Sequence, residues 1–131
     1  MTRQTSSDQW RALLHESDAV EQLSSELTRQ AIRDGVVDGP SQRRYLVRRA
    51  ALADRADSLQ RETGFAATGE VDAGLAALGL LEWDREHGTG CGPLPAADGR
   101  WDADPRGYLH QEHAMLVLDD QDQDQDQRPG A

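Results

Sequence analysis

The 131-residue chain contains no lysine and no asparagine, and one residue each of cysteine, isoleucine and phenylalanine. Without lysine there is no Walker A lysine, no Schiff-base lysine and no ammonium general base. Without asparagine there is no N-glycosylation acceptor. A lone cysteine excludes a disulfide framework. No apolar run is long enough to span a bilayer, and no basic–apolar–small leader opens the chain, so a soluble cytoplasmic protein is expected. Lys, Asn, Ile and Phe are encoded largely by AT-rich codons, and their scarcity is the pattern of a GC-rich, bacterial gene.

Large apolar residues are also in short supply. Leu, Ile, Val and Phe together number 23 of 131, below the level of about 20 % at which a charged chain is suspected of disorder. Length permits one domain, and composition makes its core thin. The net charge is −10, and it is unevenly placed. Residues 119–131 hold five Asp, one Arg and no large apolar side chain. Their Asp-Gln alternation predicts a disordered acidic tail, either a solubilising appendage or a competitor for a basic partner.

Upstream, hydrophobic periodicity predicts a mainly α fold. The expected organisation is a helical domain over 1–83, a loop-rich C-terminal subdomain over 84–118, and the acidic Asp/Gln tail over 119–131. Within the first domain an antiparallel helical hairpin is expected over 8–63. Ser6 and Ser7 supply capping oxygens, with Gln9 as a capping-box partner. Trp10, Ser17, Ser24 and Ala31 recur every seven residues, and Leu13, Val20 and Leu27 follow the first three at a spacing of three. That is a heptad seam. Gly35 is the expected stop, Val36 to Pro40 a turn, and Ser41 the expected cap of a second helix. Tyr45, Leu52 and Leu59 repeat at seven along it. One stripe per helix leaves an edge to be covered, by a third element, a second copy or a partner. Trp10, Leu13, Val20, Leu27, Tyr45, Leu52 and Leu59 are the candidate partner-binding seam.

The second helix also carries six arginines against three acids, inside a protein of negative charge. Arg44, Arg48 and Arg55 fall on one stripe. Guanidinium forks suit phosphate, so these three are the candidate anion or nucleic-acid contacts. The alternative is a solvated face paired with Glu16, Glu21 and Glu26 of the first helix, which the acidic overall balance favours. A shorter third helix is expected over 70–83, with Val71, Leu75 and Leu78 on one face. Leu78-Gly79-Leu80-Leu81-Glu82 resembles the recognition-helix-to-wing junction of winged-helix domains, with His113 to Leu118 as a returning strand. The resemblance implies a short β-hairpin in the C-terminal region. Glu70 and Asp72, with no arginine, would repel phosphate from such a recognition helix, leaving protein contact as its use.

Residues 84–107 are rich in Gly and Pro and carry the sharpest chemical possibility. His87 and Cys91 form one pair and His110 and His113 another across the loop, a set that could hold one tetrahedral zinc and staple an apolar-poor segment. Catalytic patterns are weaker. Nothing in the sequence orients a base on Cys91 or lowers its thiol pKa. His110-Gln111-Glu112-His113 has its histidines three apart instead of the four of a zincin helix. Gly88, Gly90 and Gly92 lead into Pro93, which does not make a dinucleotide loop. The expected function is therefore that of a small, non-enzymatic regulatory or interaction protein without a required cofactor. It would act through helix–helix contacts with itself or a protein partner and without a membrane. A nucleic-acid-binding regulator and a zinc-stapled protein are the alternatives.

Overall fold

The structure, a computed structural model, describes residues 6–63 and 72–127, and within them every side chain except those of residues 6, 63 and 123–127. The chain is mainly helical, as expected. Its elements are α1 (Ser6–Asp34), α2 (Gly39–Thr63), α3 (Ala73–His87), a 3-10 helix (Gly99–Ala103) and α4 (Pro105–Gln127). The expected third-helix residues 70 and 71, and residues 128–131 of the tail, lie outside the described residues. Among the described residues no helix is long and apolar enough to cross a membrane.

Local chemistry sets the helix ends. Gly35 stops α1 as expected: its φ is +76°, a left-handed value natural to glycine, and its N–H bonds Ala31 O at 2.9 Å. The cap of α2 is Asp38 rather than Ser41. Asp38 Oδ1 accepts the Ser41 N–H at 2.8 Å, and Gln30 steadies the same carboxylate from the end of α1 at 3.0 Å. Gly39 and Pro40 open α2, where a missing proline N–H costs nothing because the first turn has no acceptor for it.

The C-terminal half departs most from expectation. There is no strand among the described residues. Residues 113–118 lie inside α4 and residues 78–82 inside α3, so neither a β-hairpin nor a wing forms. The helix continues through the Asp-Gln repeat to Gln127, where a disordered tail was expected. The overlooked signal is Asp104-Pro105: Asp104 Oδ1 accepts the Gly107 N–H at 3.0 Å, and proline sits at the first helical position.

Three helices and the loop between α3 and α4 enclose the core. Val47, Ala50 and Ala51 of α2 meet Ala77, Leu80 and Leu81 of α3 and Tyr108 and Leu109 of α4. Ala96 and Trp101 close the open end. Trp101 lies edge-on to Tyr108 at 5.5 Å, and its Nε1–H donates to Pro95 O at 3.1 Å. The alanines on α2 and α3 let the two helices approach closely, which partly offsets the scarcity of large side chains.

The buried face of α3 is not the expected one. Ala73, Ala77, Leu80, Leu81 and Asp84 point inward, while Leu75 is 68 % exposed and Leu78 only flanks the core. On α2 the inward line is Val47, Ala50 and Ala51, so the expected Tyr45–Leu52–Leu59 line is a second, separate face. There α1 packs. Leu13 and Val20 of α1 and Leu59 of α2 are buried, and Trp10, Leu27, Tyr45 and Leu52 are half-buried. Trp10, Leu13, Val20, Leu27, Tyr45, Leu52 and Leu59 are thus largely covered within one chain.

Candidate functional site

Helical spacing brings three charged residues onto inward-facing stripes. Arg43 shares the α2 line of Val47, Ala50 and Ala51. Asp84 ends the α3 line of Ala77, Leu80 and Leu81, and Glu112 extends the α4 line of Tyr108 and Leu109. They meet at the heart of the bundle. Arg43 Nε and Nη2 donate to Asp84 Oδ1 and Oδ2 at 2.7 and 2.9 Å, and Nη2 also reaches Glu112 Oε1 at 2.6 Å. Asp84 and Glu112 are fully buried, and the Arg43 side chain is only 13 % exposed.

One cation faces two anions, and neutral donors stabilise the remaining negative charge. Thr89 Oγ1 donates to Asp84 Oδ1 at 2.6 Å, and the buried Tyr108 hydroxyl donates to Oδ2. Backbone N–H groups of Cys91 and Gly92 donate to Glu112 Oε1 and Oε2 at 2.6 and 2.8 Å, and Gln111 Nε2 reaches Oε2 at 2.9 Å. Each of the four carboxylate oxygens therefore accepts two hydrogen bonds and has no acceptor capacity left. The loop over the cluster owes its path to this packing. Gly90 has φ +138°, and a Cβ there would lie 3.0 Å from the Tyr108 hydroxyl. Gly90 is thus accounted for by this packing alone.

Electrostatics agree with the geometry. Burial pushes the Asp84 carboxyl up, but bonds from Arg43, Thr89 and Tyr108 outweigh it and hold Asp84 below the usual carboxylate range. Burial, reinforced by the bond to Asp84, pushes the Tyr108 phenol far above its ordinary value. Arg43, whose own guanidinium is pushed up by the bond to Asp84, and Asp84 are thus held in their charged forms, and the cluster closes on them as a clasp. With every oxygen engaged, it offers no free base, acid or ligand position for a substrate.

A second charged layer runs down the α2–α4 seam. Arg106 donates to Asp54 at 2.7 Å and Asp57 at 3.0 Å, and His110 Nε2 lies 2.8 Å from Asp54 Oδ2. Burial raises Asp54, and His110 and Arg106 together bring it below its usual value. At the other end Arg44 and Arg48 both donate to Asp120, and Arg55 lies 3.8 Å from Glu16 of α1. The three candidate anion contacts thus have internal carboxylate neighbours. Only Arg55 uses the expected α1 acid.

The zinc set is dispersed. His87 stacks on Trp83 at 3.8 Å with Nδ1 2.9 Å from Trp83 O, and His110 is engaged by Asp54. Cys91 is an exposed free thiol, and His113 is half-buried between α4 and its neighbours. Among the described residues no group of three or more His, Cys, Asp or Glu could hold a metal. His87, Cys91, His110 and His113 therefore do not form a coordination sphere in this structure. No family model, curated protein or solved structure matches the chain.

Two outcomes follow. Arg43→Met leaves two buried carboxylates without their cation and should cost about 3–5 kcal/mol in urea unfolding at neutral pH; a loss below about 1 kcal/mol would contradict a buried clasp. His113 supplies the pH test. Burial, with Arg48 and Arg55 nearby, lowers its pKa, and Glu16 opposes them. The unfolded chain therefore takes up this proton at a higher pH than the folded one. The stabilisation is complete above an unfolded pKa of about 6.5 and is lost as pH falls from there through the folded value, at no more than about 1.4 kcal/mol per pH unit. Between roughly pH 7.5 and 5.5, the window around a free histidine, the unfolding free energy of His113→Gln should depend less steeply on pH than that of the native chain.

Proposed function

We propose that this chain is a small, non-enzymatic, cytoplasmic interaction protein that acts by helix–helix contact, with α1 and α2 as an antiparallel hairpin and the outer face of α1 as the contact surface. The carrying observation is the exposure of Leu14 and Ile32, at 66 % and 80 %. They lie eighteen residues apart in α1, five full turns at 3.6 residues per turn, and so share one stripe on the side away from α2. Val36, 69 % exposed, adds to the apolar surface at the turn. A saturated polar cluster and shallow grooves of about 190 and 160 Å³ along α1 and α2 favour contact over catalysis.

The partner that fits is a second copy. In an antiparallel α1 pair centred near Leu23, Leu14 of each copy meets Ile32 of the other. Asp18 and Arg29, both exposed, then face each other across the pair, twice by symmetry. Glu26, which holds Arg29 at 2.8 Å in one chain, is an exposed partner and exchanges cheaply.

Sedimentation equilibrium tests this reading. Self-association should appear below about 1 mM, and Ile32→Glu should weaken it by about tenfold or more with helix content unchanged. Asp18→Arg should weaken it as well, and adding Arg29→Asp should restore it. A native chain that stays monomeric, or a charge swap that restores nothing, would refute the reading.

A further inference from the structure

Arg44 and Arg48 share a single carboxylate. Arg44 Nη2 donates to Asp120 Oδ1 at 2.8 Å and Arg48 Nη2 donates to Oδ2 at 2.6 Å. The Nε of Arg48 is buried, and among the described residues it has no hydrogen-bond partner. On a guanidinium the Nε and Nη2 hydrogens point the same way as a fork, and Arg43 shows the fork closed on both oxygens of Asp84. Arg48 closes only half of its own. The reason is placement: each Asp120 oxygen is engaged by a different arginine, and neither is positioned to accept the Arg48 Nε–H as well. An anion in the same place with a third oxygen could satisfy Nε as well.

Asp120 is also a replaceable occupant. It sits in the C-terminal turns of α4, with Asp119 and Asp122 beside it and no basic residue in the last turn. Aspartate is a poor helix former, and the Asp-Gln repeat carries carboxylates on from Asp120 into the last turn, where they oppose the macrodipole. The two arginines tie this stretch to α2. Beside Arg44 opens the groove of about 160 Å³ formed by Leu23, Leu27 and neighbouring polar side chains, space for whatever carries the incoming anion.

We propose that Arg44 and Arg48 form an exchangeable anion site for a phosphate monoester group, with Asp120 as the internal stand-in that the phosphate displaces. A monoester offers three terminal oxygens, one for Arg44 and two for the Arg48 fork. A nucleic-acid diester offers two, no better than Asp120, and its polyanion meets a protein of charge −10. The site is independent of the α1 face that pairs two copies. Occupancy would release the end of α4, which makes the site a ligand-controlled latch.

Calorimetric titration of the full chain at constant ionic strength tests this, with inorganic phosphate, phosphoserine and an oligothymidine lacking terminal phosphates as probes. Inorganic phosphate and phosphoserine should bind, and Asp120→Asn should tighten both by about tenfold or more, the effect of removing one competing charge-assisted pair. Tighter binding of phosphoserine than of free phosphate assigns the group to an attached ester; the reverse assigns the free ion. Arg48→Lys on the Asp120→Asn background keeps the charge and loses the fork, and should reverse the gain, with circular dichroism verifying the fold. Equal binding of oligothymidine, no gain in Asp120→Asn, or full binding with Arg48→Lys would each overturn the proposal.

Discussion

A guanidinium carried into the interior must find its counter-charges there, and in this protein it finds them on two other helices. Arg43 of α2 closes on Asp84 of α3 and Glu112 of α4, so the three helices that build the small apolar core are also tied at one polar point. Burying a charge without such partners would cost several kcal/mol, roughly the whole stability of a small domain. The geometry that satisfies all three groups is therefore strongly constrained. An apolar core of similar volume can be more stable, but it carries no directional bonds of this kind between the helices. A chain this poor in Leu, Ile, Val and Phe obtains its arrangement from matched charges as much as from hydrophobic area.

The same logic extends outward. Arg106 on Asp54 and Asp57, and Arg44 and Arg48 on Asp120, place opposite charges against each other along the α2–α4 seam. α2 is the shared element: its Val47–Ala51 line faces the clasped bundle, and its Leu59 face receives α1. That division leaves α1 as the outermost helix. It is the part of the molecule whose far side another chain can reach without disturbing the clasp.

The two N-terminal helices were legible because their apolar residues repeat at heptad spacing and their turn is marked by Gly35, Gly39 and Pro40. The α3–α4 region was not, for an identifiable reason. Its inward stripes end in Asp84 and Glu112, which read as solvent positions unless Arg43 is placed opposite them, and nothing local in the sequence does that. Leu75 and Leu78 misled because they are larger than Ala73 and Ala77, yet the small residues are the ones α2 can approach. The tail reads as disordered by composition alone. Its helix is tied to α2 by a long-range contact, with Arg44 and Arg48 lying more than seventy positions earlier than Asp120. The histidines and Cys91 formed a metal pattern by spacing, while in space each is occupied elsewhere or exposed. The heptad seam is largely covered within the chain, with Leu13, Val20 and Leu59 buried.

Amide hydrogen exchange at Cys91 and Gly92 addresses the clasp directly. Both lie in a loop with little secondary structure around them, and Cys91 is exposed, so ordinary loop behaviour would be rapid exchange. Their N–H groups instead point at the Glu112 carboxylate, and opening them requires the buried cluster to come apart. The account predicts protection within about tenfold of the core amides of Leu80 and Leu109, lost together with them as urea is raised. Exchange at the rate of an unbonded loop amide, while the core stays protected, would contradict it.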